Sequence, residues 1–192
     1  MRITVSEVCR CELDDEALKL LEEFPKMLEW WAEKALTYVD LRSGRQRDTR
    51  YAYSMFRNAF YKEWREKWKE WNSQYAQTSS VVVHSFLQLR HTNHTRDKLN
   101  LRMRFATIHP RIVRVKEDVL RVSTRLEEYA RIKLCPKSEY QEKMIDQAER
   151  RIWQIGHVFL TPEYTVMPLS KSIDISMERD PALEELSASL KI

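Results

Sequence analysis

The feature that most constrains this chain is a double change of hydrophobic period. Residues 1–13 alternate apolar and polar side chains (Ile3, Val5, then Val8) and read as a strand leading to a turn at Asp14-Asp15. From Asp14 the period lengthens: Ala17, Leu20, Leu21, Phe24, Leu28, Trp31, Ala35 and Tyr38 recur at threes and fours, which predicts one buried helical face. Asp14 or Asp15 can cap that helix, acidic residues suit its first turn, and Pro25 predicts a kink or a split. A second helix is expected over residues 49–71, with Tyr53, Phe56, Phe60, Trp64, Trp68 and Trp71 as its apolar stripe. A third runs from near Ser73 to about Arg96, although its Val81-Val82-Val83 run lowers helix propensity. After Leu99 the texture turns to short strands, expected at 101–107, 112–115, 119–123, 130–134, 152–159 and 164–168. Lys116-Glu117-Asp118 connects two of them as a hairpin. Ser138 with Gln141 three residues on forms a capping box for a helix over 138–149.

The chain has 192 residues, enough for one ordinary core, and only two glycines. So few glycines disfavour a glycine-rich phosphate loop and tight type I′ hairpins. No run of about 18 uncharged apolar residues exists, so no membrane helix is expected, and the first residues lack the apolar core of a signal peptide. Cys9, Cys11 and Cys135 do not make a disulfide framework, which points to a cytoplasmic protein. The charge is unevenly spread. Residues 41–134 carry 21 basic and 9 acidic groups, net +12, between a first segment (1–40) at −5 and a last (135–192) at −3. Arginine outnumbers lysine in that middle segment, which favours forked phosphate contact over solubility alone.

Within that segment Arg42, Arg45, Arg47 and Arg50 place four guanidinium groups in nine residues around Gly44. Phosphate contact and a solvated loop both fit them. The aromatic stripe has core spacing; Tyr51 and Tyr61 lie off it and are the better base-stacking candidates. Ser73-Gln74-Tyr75-Ala76-Gln77 opens the third helix, where a glutamine can read adenine or simply remain solvated. His84, His91 and His94 could share a helix face, but no ligand set of zinc spacing accompanies them. Contact of His91 and His94 with phosphate or base, beside Arg90 and Arg96, is the expectation, and Arg102 and Arg104 extend the basic set. No GxSxG, HExxH or phosphate-loop motif occurs. No cofactor and no metal are expected.

Three segments within residues 110–169 carry a resemblance: Val119-Leu120-Arg121-Val122-Ser123-Thr124, Glu139-Tyr140-Gln141-Glu142-Lys143 and Trp153-Gln154-Ile155-Gly156-His157-Val158. They resemble the short paired strands, short helix and tryptophan/isoleucine-glycine strand start of the wedge domain in TnpB-type, OrfB-family transposon proteins. The order of strand, helices and strands resembles that family over nearly the whole chain. The resemblance implies an α+β fold: a small OB-like, wedge-type β-barrel (1–13 and 101–169), an inserted helical recognition-like domain (14–100) and a tail (170–192). It also implies that a glutamine matching Gln77 touches a short duplex motif. In relatives an RuvC-type nuclease follows, whereas this chain runs to Ile192, so the expectation is a protein that holds nucleic acid without cutting it. Structured RNA, duplex DNA or both are the expected partners. One alternative is a subunit of a split nuclease, docking a separate nuclease chain at an apolar edge around Val166, Met167 and Leu169. The other is a helical protein-interaction module.

Overall fold

The structure, a computed structural model, describes residues 2–37, 49–93 and 104–172, leaving aside the side chains at 36, 49–52 and 87–93. Helices and strands are both present, joined in an α+β arrangement around one cluster of buried residues. Strand β1 (Arg2–Leu13) precedes three helices: α1 (Asp15–Thr37), α2 (Thr49–Lys67) and α3 (Gln74–Asn93). Then come β2 (Ala106–Ile108), a 3₁₀ turn (Pro110–Ile112), β3 (Val113–Lys116), β4 (Val119–Ser123) and β5 (Tyr129–Cys135). Helix α4 (Glu139–Glu149) leads to β6 (Gln154–Ile155), β7 (Val158–Leu160) and β8 (Tyr164–Ser172).

The helices form for local reasons. Asp14 accepts from the Ala17 amide through one carboxylate oxygen and from the Arg131 amide through the other, both at 2.8 Å. One side chain therefore caps α1 and ties its start to β5. Of the kink or split expected at Pro25, the split does not occur: α1 runs through it as one helix. Proline removes one backbone hydrogen bond, but Leu21, Phe24, Met27 and Leu28 on either side are buried in the core and anchor both halves of the helix. Helix α2 stops at Lys67, short of Trp71, which instead bridges to Arg125 as an isolated β pair. The capping box of α4 forms with a shift: Ser138 Oγ accepts from the Gln141 amide, while Gln141 Oε1 accepts from Lys137 rather than from Ser138.

Helix α3 keeps its helical form across Val81–Val83, where Val83 is fully buried and Val82 packs against the core. Thr78, Ser79 and Ser80 are buried and return their hydroxyl protons to carbonyls of the preceding turn, Ser80 to Ala76 at 2.6 Å. These short side chains satisfy themselves within the helix, so α3 buries a polar stretch beside α1 without orphaned groups. Aromatic rings join the layers. Phe24 meets Tyr75 of α3 and Phe105 edge-on (6.4 and 6.0 Å), and Phe105 stacks on Phe159 of β7.

The strands make one open antiparallel sheet in the order β2-β7-β8-β1-β5-β4-β3, with β6 also on β8. Strand β1 is the hinge of this order, pairing with β8 over Arg2–Arg10 and with β5 over Arg10–Leu13. The two edge strands, β2 and β3, are consecutive in the chain and separated only by residues 109–112. That connector reaches at most about 19 Å, while six strand spacings laid flat would need about 29 Å. The sheet must therefore curl until its edges approach, although no ladder joins β2 to β3 among the described residues.

Several strand expectations need correction. Ile112 belongs to the 3₁₀ turn, residues 152–159 divide into β6 and β7 around Gly156-His157, and β8 extends to Ser172. Gly156 fits there because a Cβ would come within 3.2 Å of the Pro168 side chain, while its amide donates to the Pro168 carbonyl at 2.7 Å. The β3–β4 hairpin is tight in spite of having no glycine: Glu117 (φ 50°) and Asp118 (φ 60°) both adopt the left-handed backbone of a type I′ turn. The Glu117 amide donates to Glu149 and the Asp118 carbonyl accepts from Leu134, and these bonds support the turn. The expected apolar edge is also absent. Met167 and Leu169 are buried in the core and Val166 is half-buried, because β8 lies inside the sheet between β1 and β6/β7.

Candidate nucleic-acid interface

Aromatic packing of α1 against α2 decides which face of α2 meets solvent. Trp31 packs on Phe56 and Trp30 on Trp68, and Trp64 is fully buried. The Trp68 indole donates to Glu23 at 2.8 Å. The stripe expected to be core is core at Phe56, Trp64 and Trp68. Away from the core runs a second stripe at a spacing of four: half-buried Arg57, then exposed Tyr61 and Arg65, followed by exposed Lys69. Tyr61 is exposed and lies nearly parallel to Trp64 (12° between planes). One ring face is thus directed to the core and the other is free of the stack.

The N-terminal turn of α3 faces this stripe. Arg57, Asn58 and Tyr61 line a notch of about 210 Å³ together with Ser73, Gln74, Ala76 and Gln77. Gln77 is half-buried there, and its carbonyl accepts from the Tyr53 hydroxyl at 3.2 Å, which holds this turn against α2. Gln74 Oε1 is cut off from water and has no donor. An acceptor in that state costs on the order of 1–3 kcal/mol until a donor reaches it.

Ser73 also lines a second, larger cleft of about 680 Å³, so the two hollows meet. Its walls are Arg65, Lys69, Trp71 and Asn72 on the helical side and Ser123, Arg125, Leu126 and Tyr129 on the sheet side, with Glu70 and Glu127. Asn72 is the joint between them. Its side chain accepts from the Gln74 amide and donates to Ser123 Oγ, and its own amide donates to the Thr124 carbonyl. Tyr75 reaches the same strand end, donating to the Ser123 carbonyl at 3.2 Å, and burial pushes its phenol far up. Arg125 lies over Trp71 and donates to both carboxylate oxygens of Glu16 at 2.9 Å. Burial would raise the Glu16 carboxyl, but hydrogen bonds from Lys19 and Arg125 outweigh it and hold the group below its ordinary value. Arg125 therefore fixes the cleft wall, while Arg65, which donates to the Trp71 carbonyl, and Lys69 are exposed cations of this hollow.

The expected site residues fare unevenly. Gln77 lies in the notch with Tyr61, but Arg104 is exposed just before β2 and lines neither hollow. The backbones of Arg50, Arg90 and His91 are helical, while Arg42, Arg45, Arg47, Tyr38, His94, Arg96 and Arg102 lie outside the described residues, as does the side chain of Tyr51. His84 is buried against Tyr53, and burial lowers its pKa. No group of three or more His, Cys, Asp or Glu fit to hold a metal occurs among the described residues, and no helix there is long and apolar enough to cross a membrane. Arg57, Arg65, Lys69 and Arg125 were missing from the expected set. The spacing of four in Arg57-Tyr61-Arg65 was a usable signal for the first two; nothing local pairs Arg125 with Trp71. No family model matches the chain, and no curated protein shows significant similarity to it.

Proposed function

We propose that this chain is a non-catalytic nucleic-acid-binding protein of the cytoplasm, engaging its partner along the notch and cleft that meet at Ser73. The carrying observation is the interleaving of cations and aromatic rings along the two hollows that share Ser73: Arg57, Tyr61, Arg65, Lys69, Trp71 and Tyr129. Guanidinium and ammonium groups neutralise phosphates, and aromatic faces accept bases of any sequence. Gln74 and Gln77 both line the notch, and Gln77 offers its side-chain amide to a base edge. The basic middle of the sequence supports the same reading, with Arg42, Arg45, Arg47 and Arg50 adding backbone contacts. The resemblance to the wedge and recognition parts of TnpB-type proteins supports it as well. In that reading the curled sheet is the OB-like wedge barrel and α1–α3 are its insert.

Fluorescence anisotropy with labelled RNA and DNA over a salt series tests the proposal. Tyr61→Ala should weaken binding by roughly 5- to 100-fold, the worth of one stacked base, and leave the salt slope unchanged. Arg57→Gln with Arg65→Gln should lower the log–log salt slope by about 1.4 on a single strand. Wild-type protein that binds no nucleic acid at moderate salt would overturn the reading.

A further inference from the structure

The sheet carries a basic feature that no stretch of the sequence displays. Arg114 pairs in register with Arg121, and Arg121 with Arg131, so three arginines stand directly opposite one another on β3, β4 and β5. All three are exposed, on the solvent face of strands whose alternate residues (Val113, Leu120, Val122, Ala130 and Ile132) are buried. Two strand spacings set the row at about 10 Å from end to end. Like charges directly opposite on neighbouring strands destabilise a sheet. Here no acidic side chain among the described residues forms a salt bridge with any of the three. Acids around the row have other partners: Glu12 bonds Lys133, Glu128 bonds Arg125, Asp14 accepts from the amides of Ala17 and Arg131, and Glu149, which shares a hollow with Arg114, accepts from the Glu117 amide. An uncompensated row of this kind is the arrangement that an added polyanion would stabilise.

The row is also connected to the cleft. Arg121 lies over the ring of Tyr129 at 4.6 Å, and Tyr129 is itself a wall of the cleft. We propose that the Arg114–Arg121–Arg131 ladder binds the phosphodiester backbone of a single-stranded nucleic-acid segment as it leaves the cleft past Tyr129. The inference rests on the nucleic-acid reading above and deepens it. The strand is single because Tyr61, the exposed ring leading to the ladder, can stack only on an unpaired base. Arg131 ends the track, since the next backbone neighbour across the sheet is Asp14.

The test uses the full chain, labelled poly(U), poly(dT) and a DNA duplex, and the triple variant Arg114→Gln, Arg121→Gln, Arg131→Gln. Wild type should prefer either single strand to the duplex. The triple variant should bind the single strands on the order of tenfold to a hundredfold more weakly, with a salt slope lower by about 2. Its melting temperature should hold or rise, because the opposed charges are gone. Arg121→Gln alone should lower the slope by about 0.7. Lys133→Gln, on the same face but paired with Glu12, should leave the slope unchanged. If the ladder variants bind as wild type does while Tyr61→Ala still weakens binding, the ladder is wrong and the cleft reading stands. A preference for duplex also overturns the ladder assignment. If wild type binds none of the three, both are overturned.

Discussion

Two basic rows on this molecule are built by different rules. On α2, Arg57 and Arg65 flank Tyr61 because residues four apart share a helix face, so the helical repeat alone brings them together. On the sheet, Arg114, Arg121 and Arg131 are separated by seven and ten positions and meet only through strand register. Neither row has an acid in salt-bridge contact among the described residues, but Glu63, Glu66 and Glu70 are interspersed in the helical segment, whereas β3, β4 and β5 carry no acid between their ends. A helix thus intersperses charges of both signs by composition, while a sheet can concentrate one sign by topology. The second row is the more expensive to maintain.

The largest perturbation would ask whether the two rows share one folded unit. Phe24 is fully buried and joins α1 to Tyr75 and Phe105, so Phe24→Ala should destabilise by about 3–5 kcal/mol. Tryptophan fluorescence, five of whose six indoles lie on or just after α1 and α2, and far-ultraviolet circular dichroism should then lose structure in one coincident thermal transition. Two separate transitions would break the comparison into two domains, as the inserted-domain expectation requires. A smaller change sharpens it. Asp118→Gly relieves a left-handed residue in the turn that sets β3 against β4, and should stabilise by about 0.5–1 kcal/mol in denaturant unfolding. A loss of stability would mean that the turn is held by the Asp118 side chain.

The smallest expected effect concerns the clamp between the rows. The Glu16 carboxyl is held below its ordinary value, so the stability it adds is present above the unfolded-state value near 4.5 and is lost as pH falls through the lowered one. Glu16→Gln should flatten the stability–pH profile in that acid window, with an effect of roughly 0.2–1 kcal/mol at neutral pH. An unaltered acid limb would mean that Arg125 is positioned by Trp71 and Glu128 alone.

How much was legible follows from the same contrast. The buried faces of α1 and α2, the cap at Asp14, the Ser138–Gln141 pair and the position of β4 could all be read from neighbours within four residues. The tight turn at Glu117-Asp118 could not, because its support comes from Glu149 and Leu134, far along the chain. Gln77 and Tyr61 could each be singled out as polar or aromatic residues off the core stripe. Their meeting in one notch depended on how α3 docks on α2 through Tyr53.

By itself the sequence determined which segments are helical, which faces α1 and α2 bury and where the positive charge is concentrated, since these are set by local repeat and composition. The buried face of α3, with Thr78, Ser79 and Ser80 in place of Val81 and Phe86, was not legible there. Tertiary structure alone decided that Asn72 joins α3 to β4, that Arg125 serves Glu16 and Trp71, and that three arginines line up across β3, β4 and β5. Those contacts join positions up to 109 residues apart, and a strand pairs by register, which is fixed only when both partners are buried on a common core.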